Sequence, residues 1–239
     1  VYQYGVEAGS DVKNGAAVYY GIVLEDATDE EVDQLDLLST LIADGSSVLM
    51  QNMKEALPSA DVSCYVEIAG PEPAMVFSAA GVNASDAPLF RETVDKSIAD
   101  VAENGFDADA VDAVIAALRL ETLLTGEGSS IGTDMIPNIV YYWVATGDEF
   151  GFMHYIDTLN LFGDYAADGT FANVAGKFLV GSKRTAVAVT EPAAGLREAE
   201  DDKLAEKLAE VKAGMTDEEI AALVAKTAAE NSDDGEGEN

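Results

Sequence analysis

DVSCYVEIAGPEPAMVFSAAGV, residues 61–82, is the stretch whose reading decides the class of fold. Its arms, 61–69 and 73–82, are rich in valine, isoleucine and aromatic residues, and Gly70-Pro71-Glu72-Pro73 between them is a turn signal. The pattern predicts a β-hairpin. On both sides the apolar period changes to that of a helix. Upstream, Thr28 or Asp29 can cap a helix carrying Val32, Leu35, Leu38 and Ile42, which Gly45 ends. Ser46 or Ser47 can start a second, carrying Leu49, Met53 and Leu57 and stopped by Pro58. Downstream, Phe90, Val94, Ile98 and Val101 share one helical face before Asn104 and Gly105. Asp107 can cap the next helix, in which Val111, Val114, Ile115 and Leu118 recur up to about Leu124, before a loop at 126–130. A third helix is expected around Ile139 to Val144.

Further out, residues 1–9 and 16–25 read as strands, separated by the turn-like Asp11 to Gly15, and are expected to form an antiparallel pair. Residues 150–162 show no single period, 171–179 resemble a short amphipathic helix, and KRTAVAVT at 183–190 reads as a strand. The sum is an α+β domain over residues 1–190. Strands at 16–25, 61–69, 73–82 and 183–190 are expected to share one largely antiparallel sheet, with helices on one face. Glu191-Pro192-Ala193-Ala194-Gly195 is expected to separate this domain from the C-terminal segment.

From 191 to 231 the composition turns to alanine, glutamate and lysine, and a helical hairpin is expected. Leu204, Leu208 and Val211 form a narrow stripe, Gly214 interrupts it, and Thr216 to Glu219 supply a capping box for a helix with Ile220, Leu223 and Val224. Like-charge neighbours Lys203/Lys207 and Glu206/Glu210 weaken the first helix. Residues 232–239, acidic and glycine-containing, are expected to be a disordered tail.

The 239 residues include 13 basic and 45 acidic side chains, a formal charge of -32. Such a charge repels nucleic-acid phosphates and anionic membranes and favours cationic partners. No apolar run approaches the roughly 20 residues that span a bilayer, and the first residues lack signal-peptide features, so a cytoplasmic location is expected. The single cysteine, Cys64, has no disulfide partner within the chain and reads as a buried strand residue.

Little in the chain suggests its own chemistry. His154 is the single histidine, set between Met153 and Tyr155, and neither H-x-x-E-H, H-E-x-x-H nor G-x-S-x-G occurs. Glu127-Gly128-Ser129-Ser130-Ile131-Gly132 lacks the lysine of a phosphate loop and reads as a helix–helix connection. Tyr141-Tyr142-Trp143 could face a ligand, but consecutive helical residues point in different directions, so a partly buried helix accounts for them. Carboxylates are too numerous for any pair to be singled out. No catalytic, cofactor-binding or metal-ligating residue is assigned.

The order of elements resembles the pitrilysin-like zinc metallopeptidases, or inverzincins, and their presequence-protease branch. LDLLSTLIADGSSVLMQNMKEAL (35–57) looks like the family's helix, glycine, paired serine, leucine and second helix. ETVDKSIADVAENGFDADAVDAVIAALRLE (92–121) resembles its helix-Gly-Phe-Asp-helix pattern, and residues 190–227 resemble the branch's hinge hairpin. The resemblance implies a non-catalytic second domain of an oligopeptidase, the start of its hinge, and a part in walling a chamber for unstructured peptides, among which the acidic excess is expected to favour cationic ones. Zinc is then expected in a preceding domain, held by H-x-x-E-H, with this chain alone inactive and the remaining domains as its partners. The competing expectation is a catalytically silent scaffold or interaction domain of the same family. An unrelated enzyme using dispersed carboxylates ranks last, because it leaves the order of elements unexplained.

Overall fold

The computed structural model describes residues 1–127, 131–153 and 161–233. Its chain divides into two compact units, one of residues 1–3 and 11–191, the other of residues 4–10 and from Pro192 onward.

The first unit is built on strands β2 (Ala16–Val23), β3 (Asp61–Glu67) and β4 (Ala74–Val82). With β1 (Tyr2–Val6) and β5 (Thr185–Ala194) they form one sheet in the order β1-β5-β2-β4-β3. The hairpin at 61–82 is present, with Cys64 opposite Phe77 and Val62 opposite Ala79. Period-two alternation gives the sheet a buried face, on which Val18, Tyr20 and Ile22 of β2 stand beside Ala79, Phe77 and Met75 of β4. Tyr19 and Tyr65, on the opposite face, are exposed.

Near its end β4 carries a bulge. Ala16 pairs with Val82 and Ala17 with Ala80, which leaves Gly81 without a partner, at φ +75. A Cβ there would stand 2.8 Å from the Ser59 carbonyl oxygen, and the Ser59 hydroxyl donates to the Gly81 carbonyl at 2.9 Å. Only glycine fits that backbone without strain.

Helices cover the buried face. In α1 (Asp29–Ala43) the capping choice falls on Thr28, whose Oγ1 accepts from the Glu31 amide while the Glu31 carboxylate accepts from the Thr28 amide. Before α2 (Val48–Ala56), Ser47 accepts from the Met50 amide and donates to the Ile42 carbonyl, tying the start of α2 to the end of α1. Phe90, Val94, Ile98 and Val101 of α3 (Ala87–Asn104) are all buried, as their spacing predicts. In α4 (Ala108–Glu127), Asp107 supplies the expected cap by accepting from the Ala110 amide. Helix α5 (Ile131–Thr146) is longer than expected and contains Pro137.

Residues 162–179 form α6 (Phe162–Ala167), α7 (Thr170–Val174) and a π-helical turn (Ala175–Leu179) rather than one amphipathic helix. Phe171 drives this packing, its ring centroid 5.3 Å from Phe162 and 6.0 Å from Tyr165.

Two expectations about the strands are corrected. Strands β1 and β2 are not neighbours: β5 lies between them, with Val189 opposite Val18 and Val187 opposite Tyr20. The connection from Glu7 to Gly15 is too long to impose a hairpin, so pairing is set by sheet-wide packing rather than sequence proximity. Strand β5 also runs on to Ala194, beyond the expected end at 190, although the two compact units divide between Glu191 and Pro192, within the stretch where the domain break was expected. Its ladder with β2 stops at Thr190, so Pro192 removes no donor from that pairing.

In the second unit, the chain turns at Gly195 (φ +80) into α8 (Leu196–Ala213), and α9 (Asp217–Asp233) comes after it. The Gly195 amide donates to the Val6 carbonyl and the Ala8 amide to Glu198 Oε1, at 2.9 and 2.7 Å. Thr216 and Glu219 form the expected capping box. The 232–239 tail lies largely outside the described residues.

Candidate functional site

Helix α1 has two chemically different polar sides. Glu31 on one side pairs with Lys177, which holds its carboxyl below the usual glutamate range, helped by the Thr28 amide. Asp29, Asp33 and Asp36, at i, i+4 and i+7, share the other. Across from them stand the end of β3, the β3–β4 turn and α5, and together these enclose a cleft of about 400 Å3.

The walls of this cleft are apolar and aromatic. Val32 of α1, Val66 and Ile68 at the end of β3, Pro71 and Pro73 of the turn and Ala145 of α5 contribute aliphatic surface; Tyr141, Tyr142 and Asp148 complete it. Tyr141 bridges two of these elements by donating to Glu67 Oε1 at 2.8 Å, and burial, then that carboxylate, raises its phenol pKa. The Tyr142 ring lies edge-on to Tyr141, with centroids 6.1 Å apart, and 5.9 Å from Phe152. Burial pushes the Tyr142 phenol well up, and the charges of Asp36 and then Asp33 push it further. That phenol therefore senses a negative potential inside the cleft.

Tyr141 and Tyr142, singled out in the sequence, meet at the cleft, whereas Trp143, on the same helix, is 54% exposed. The three aspartates were hidden among 45 acidic residues. Their i, i+4, i+7 spacing was the available signal, and what gives it meaning is the hairpin turn and α5 opposite. Cys64 sits partly buried on β3, where burial and then Asp36 raise its thiol pKa, so its thiolate is disfavoured. His154 and Gly128 to Ser130 lie outside the described residues.

Among the described residues no group of three His, Cys, Asp or Glu side chains converges closely enough to hold a metal ion. The described cleft carboxylates thus do not form a zinc-binding set. Among the described residues, no helix is long and apolar enough to cross a membrane.

Residues 4–118, just under half of the chain, match the family described as the Peptidase M16 inactive domain. It is 30% identical over 153 residues to a mitochondrial presequence protease of Gibberella zeae, covering 62% of this chain and 15% of that protein. A mitochondrial presequence protease of Xenopus tropicalis is 24% identical over 230 residues, covering 92% of this chain and 22% of its own length. The chain thus spans less than a quarter of these curated relatives. Among solved structures, the inactive peptidase domain of a zinc protease from Bordetella parapertussis superposes with a TM-score of 0.59 at 16% identity, covering 78% of this chain and 95% of that one. A Helicobacter pylori protease gives 0.58 at 16% identity, covering 80% and 44%. These structural likenesses speak for the fold.

Proposed function

We propose that the chain is the non-catalytic domain of a zinc-dependent oligopeptidase, walling part of the chamber that receives unstructured peptides and contributing to the hinge between the enzyme's halves. The match of residues 4–118 to the inactive M16 domain carries this reading. Helix α5 supplies surface for partner domains: Ile136, Val140, Trp143 and Val144 remain exposed, Val144 at 79%. In α8, Leu204, Leu208 and Val211 are likewise exposed, as suits a hairpin that is completed by another surface.

The test is metal analysis after dialysis, with a fluorogenic peptide assay on the 239-residue chain. No stoichiometric zinc and no hydrolysis are expected. Tight one-to-one zinc with chelator-sensitive hydrolysis would overturn the non-catalytic assignment. Restoration of peptide turnover when the chain is added to a zinc-loaded catalytic half that is inactive alone would support the chamber role. Full turnover by that half without the chain would remove it.

A further inference from the structure

We propose that residues 4–10 and the first turn of α8 form a clasp, so that the helical hairpin and the N-terminal strand move as one body, turning where β1 and β5 pass from one compact unit into the other. This deepens the hinge reading and rests on it.

The second unit is built from two stretches far apart in sequence, 4–10 and from Pro192 onward. Strands β1 and β5 are neighbours in the sheet, and both cross the boundary, β1 after Gln3 and β5 after Glu191. At that line the Gln3 side chain donates to Glu191 Oε1 at 3.1 Å. Beyond it, residues 5–8 are tied to the start of α8. The Gly195 amide donates to the Val6 carbonyl at 2.9 Å, and the Ala8 amide to Glu198 Oε1 at 2.7 Å. Backbone also lies against backbone: a Cβ added to Gly5 would stand 2.8 Å from the Arg197 nitrogen and 3.0 Å from its Cα. The bond to Glu198 is the strong one in kind, because its acceptor is charged, and it holds the Glu198 carboxyl below the usual glutamate range.

The contrast along α8 is what gives these contacts a mechanical role. They gather at Gly195, Arg197 and Glu198, whereas no described residue of the helix is buried and Leu204, Leu208 and Val211 lie exposed. A helix held at its first turn is a lever. At a rise of about 1.5 Å per residue, Ala213 stands about 25 Å along the axis from Leu196, so a small rotation at the clasp becomes a displacement of several Å at the far end. A load on the hairpin therefore reaches residues 4–10 through the clasp, and the residues that absorb the backbone change are the strand positions at the boundary.

The experiment uses the full 239-residue chain carrying C64A, with spin labels at D61C on β3 and E210C on α8, so that double electron–electron resonance distances can be read beside amide hydrogen exchange. Glu198→Ala removes the charged acceptor and should speed exchange at Ala8 about tenfold or more. A clasp should also speed exchange at Gly195, whose own partner Val6 is untouched, and widen the distance distribution. Glu198→Gln, which keeps a neutral acceptor, should fall between the parent and Glu198→Ala. Gly5→Ala should move the same readouts from the other side of the clasp, with the 61–82 hairpin amides unchanged in every variant as the check on folding. Faster exchange confined to Ala8, with distances unchanged, would overturn the clasp and leave a local hydrogen bond. A parent whose distances are already as broad as those of Glu198→Ala would overturn it too. Neither result removes the hinge role, which fails instead if α8 and α9 prove as protected from exchange as the 61–82 hairpin.

Discussion

Replacing Gly81 by alanine attacks the bulge that ends β4. Two costs can be worked from the structure: a φ of +75, which costs an L-residue about 1–2 kcal/mol, and a new Cβ 2.8 Å from the Ser59 carbonyl oxygen, whose relief by backbone movement adds about 1 kcal/mol or more. The sum is about 2–4 kcal/mol, or a fall in Tm of about 5–12 °C for a chain of this size. Gly21 is the internal control. It lies in β2 of the same sheet, and its added Cβ would meet nothing within 4 Å, so Gly21→Ala should be neutral or stabilising by about 0.4–1 kcal/mol through the unfolded chain. Gly81→Asn separates the two costs, because asparagine tolerates positive φ but brings the same Cβ. Urea unfolding monitored by far-ultraviolet circular dichroism provides the measurement, with an unchanged m-value as the check that the transition is the same. A Gly81→Ala variant within about 0.5 kcal/mol of the parent would refute the argument.

Ser47→Ala should destabilise by about 1–3 kcal/mol in thermal unfolding, because it removes the cap on Met50 and leaves the buried Ile42 carbonyl without its donor. Glu31 is held below its ordinary pKa, first by Lys177, so its contribution is present above the ordinary glutamate range and is lost as pH falls through the lowered value. The Tm difference between parent and Glu31→Gln should therefore be positive at pH 7 and close under acid; a gap that widens on acidification would contradict the pairing. With a formal charge of -32, the protein should gain Tm between about 0.01 and 0.15 M salt, as the screening length drops from about 30 to 8 Å, and a fall would show that attractive pairs outweigh self-repulsion. Amides of α8 and α9 should exchange with solvent before those of the 61–82 hairpin, and equal protection in a monomeric sample would remove the hinge role.

What could be read from the chain was local. Thr28, Ser47, Asp107 and Thr216 act on amides three residues away, so their caps were legible without knowledge of the fold. The 61–82 hairpin was legible because Gly70 to Pro73 permit a turn between two alternating runs, and the buried face of α3 because Phe90, Val94, Ile98 and Val101 repeat at its period. Even the resemblance to the M16 peptidases rested on the order of such local signals. The neighbour of β1 was not encoded in this way, because any strand of suitable alternation can occupy the place beside β2, and the choice of β5 depends on packing contributed from across the chain. The cleft is the fuller case. Asp33 and Asp36, Ile68 and Pro71, and Tyr141 and Tyr142 come from three separate stretches, and nothing within any one of them specifies the others. Composition determined that the surface would be acidic; only the tertiary arrangement decided where that charge meets aromatic and aliphatic walls, since a potential in a cleft depends on which groups are brought together there and how far water is kept out.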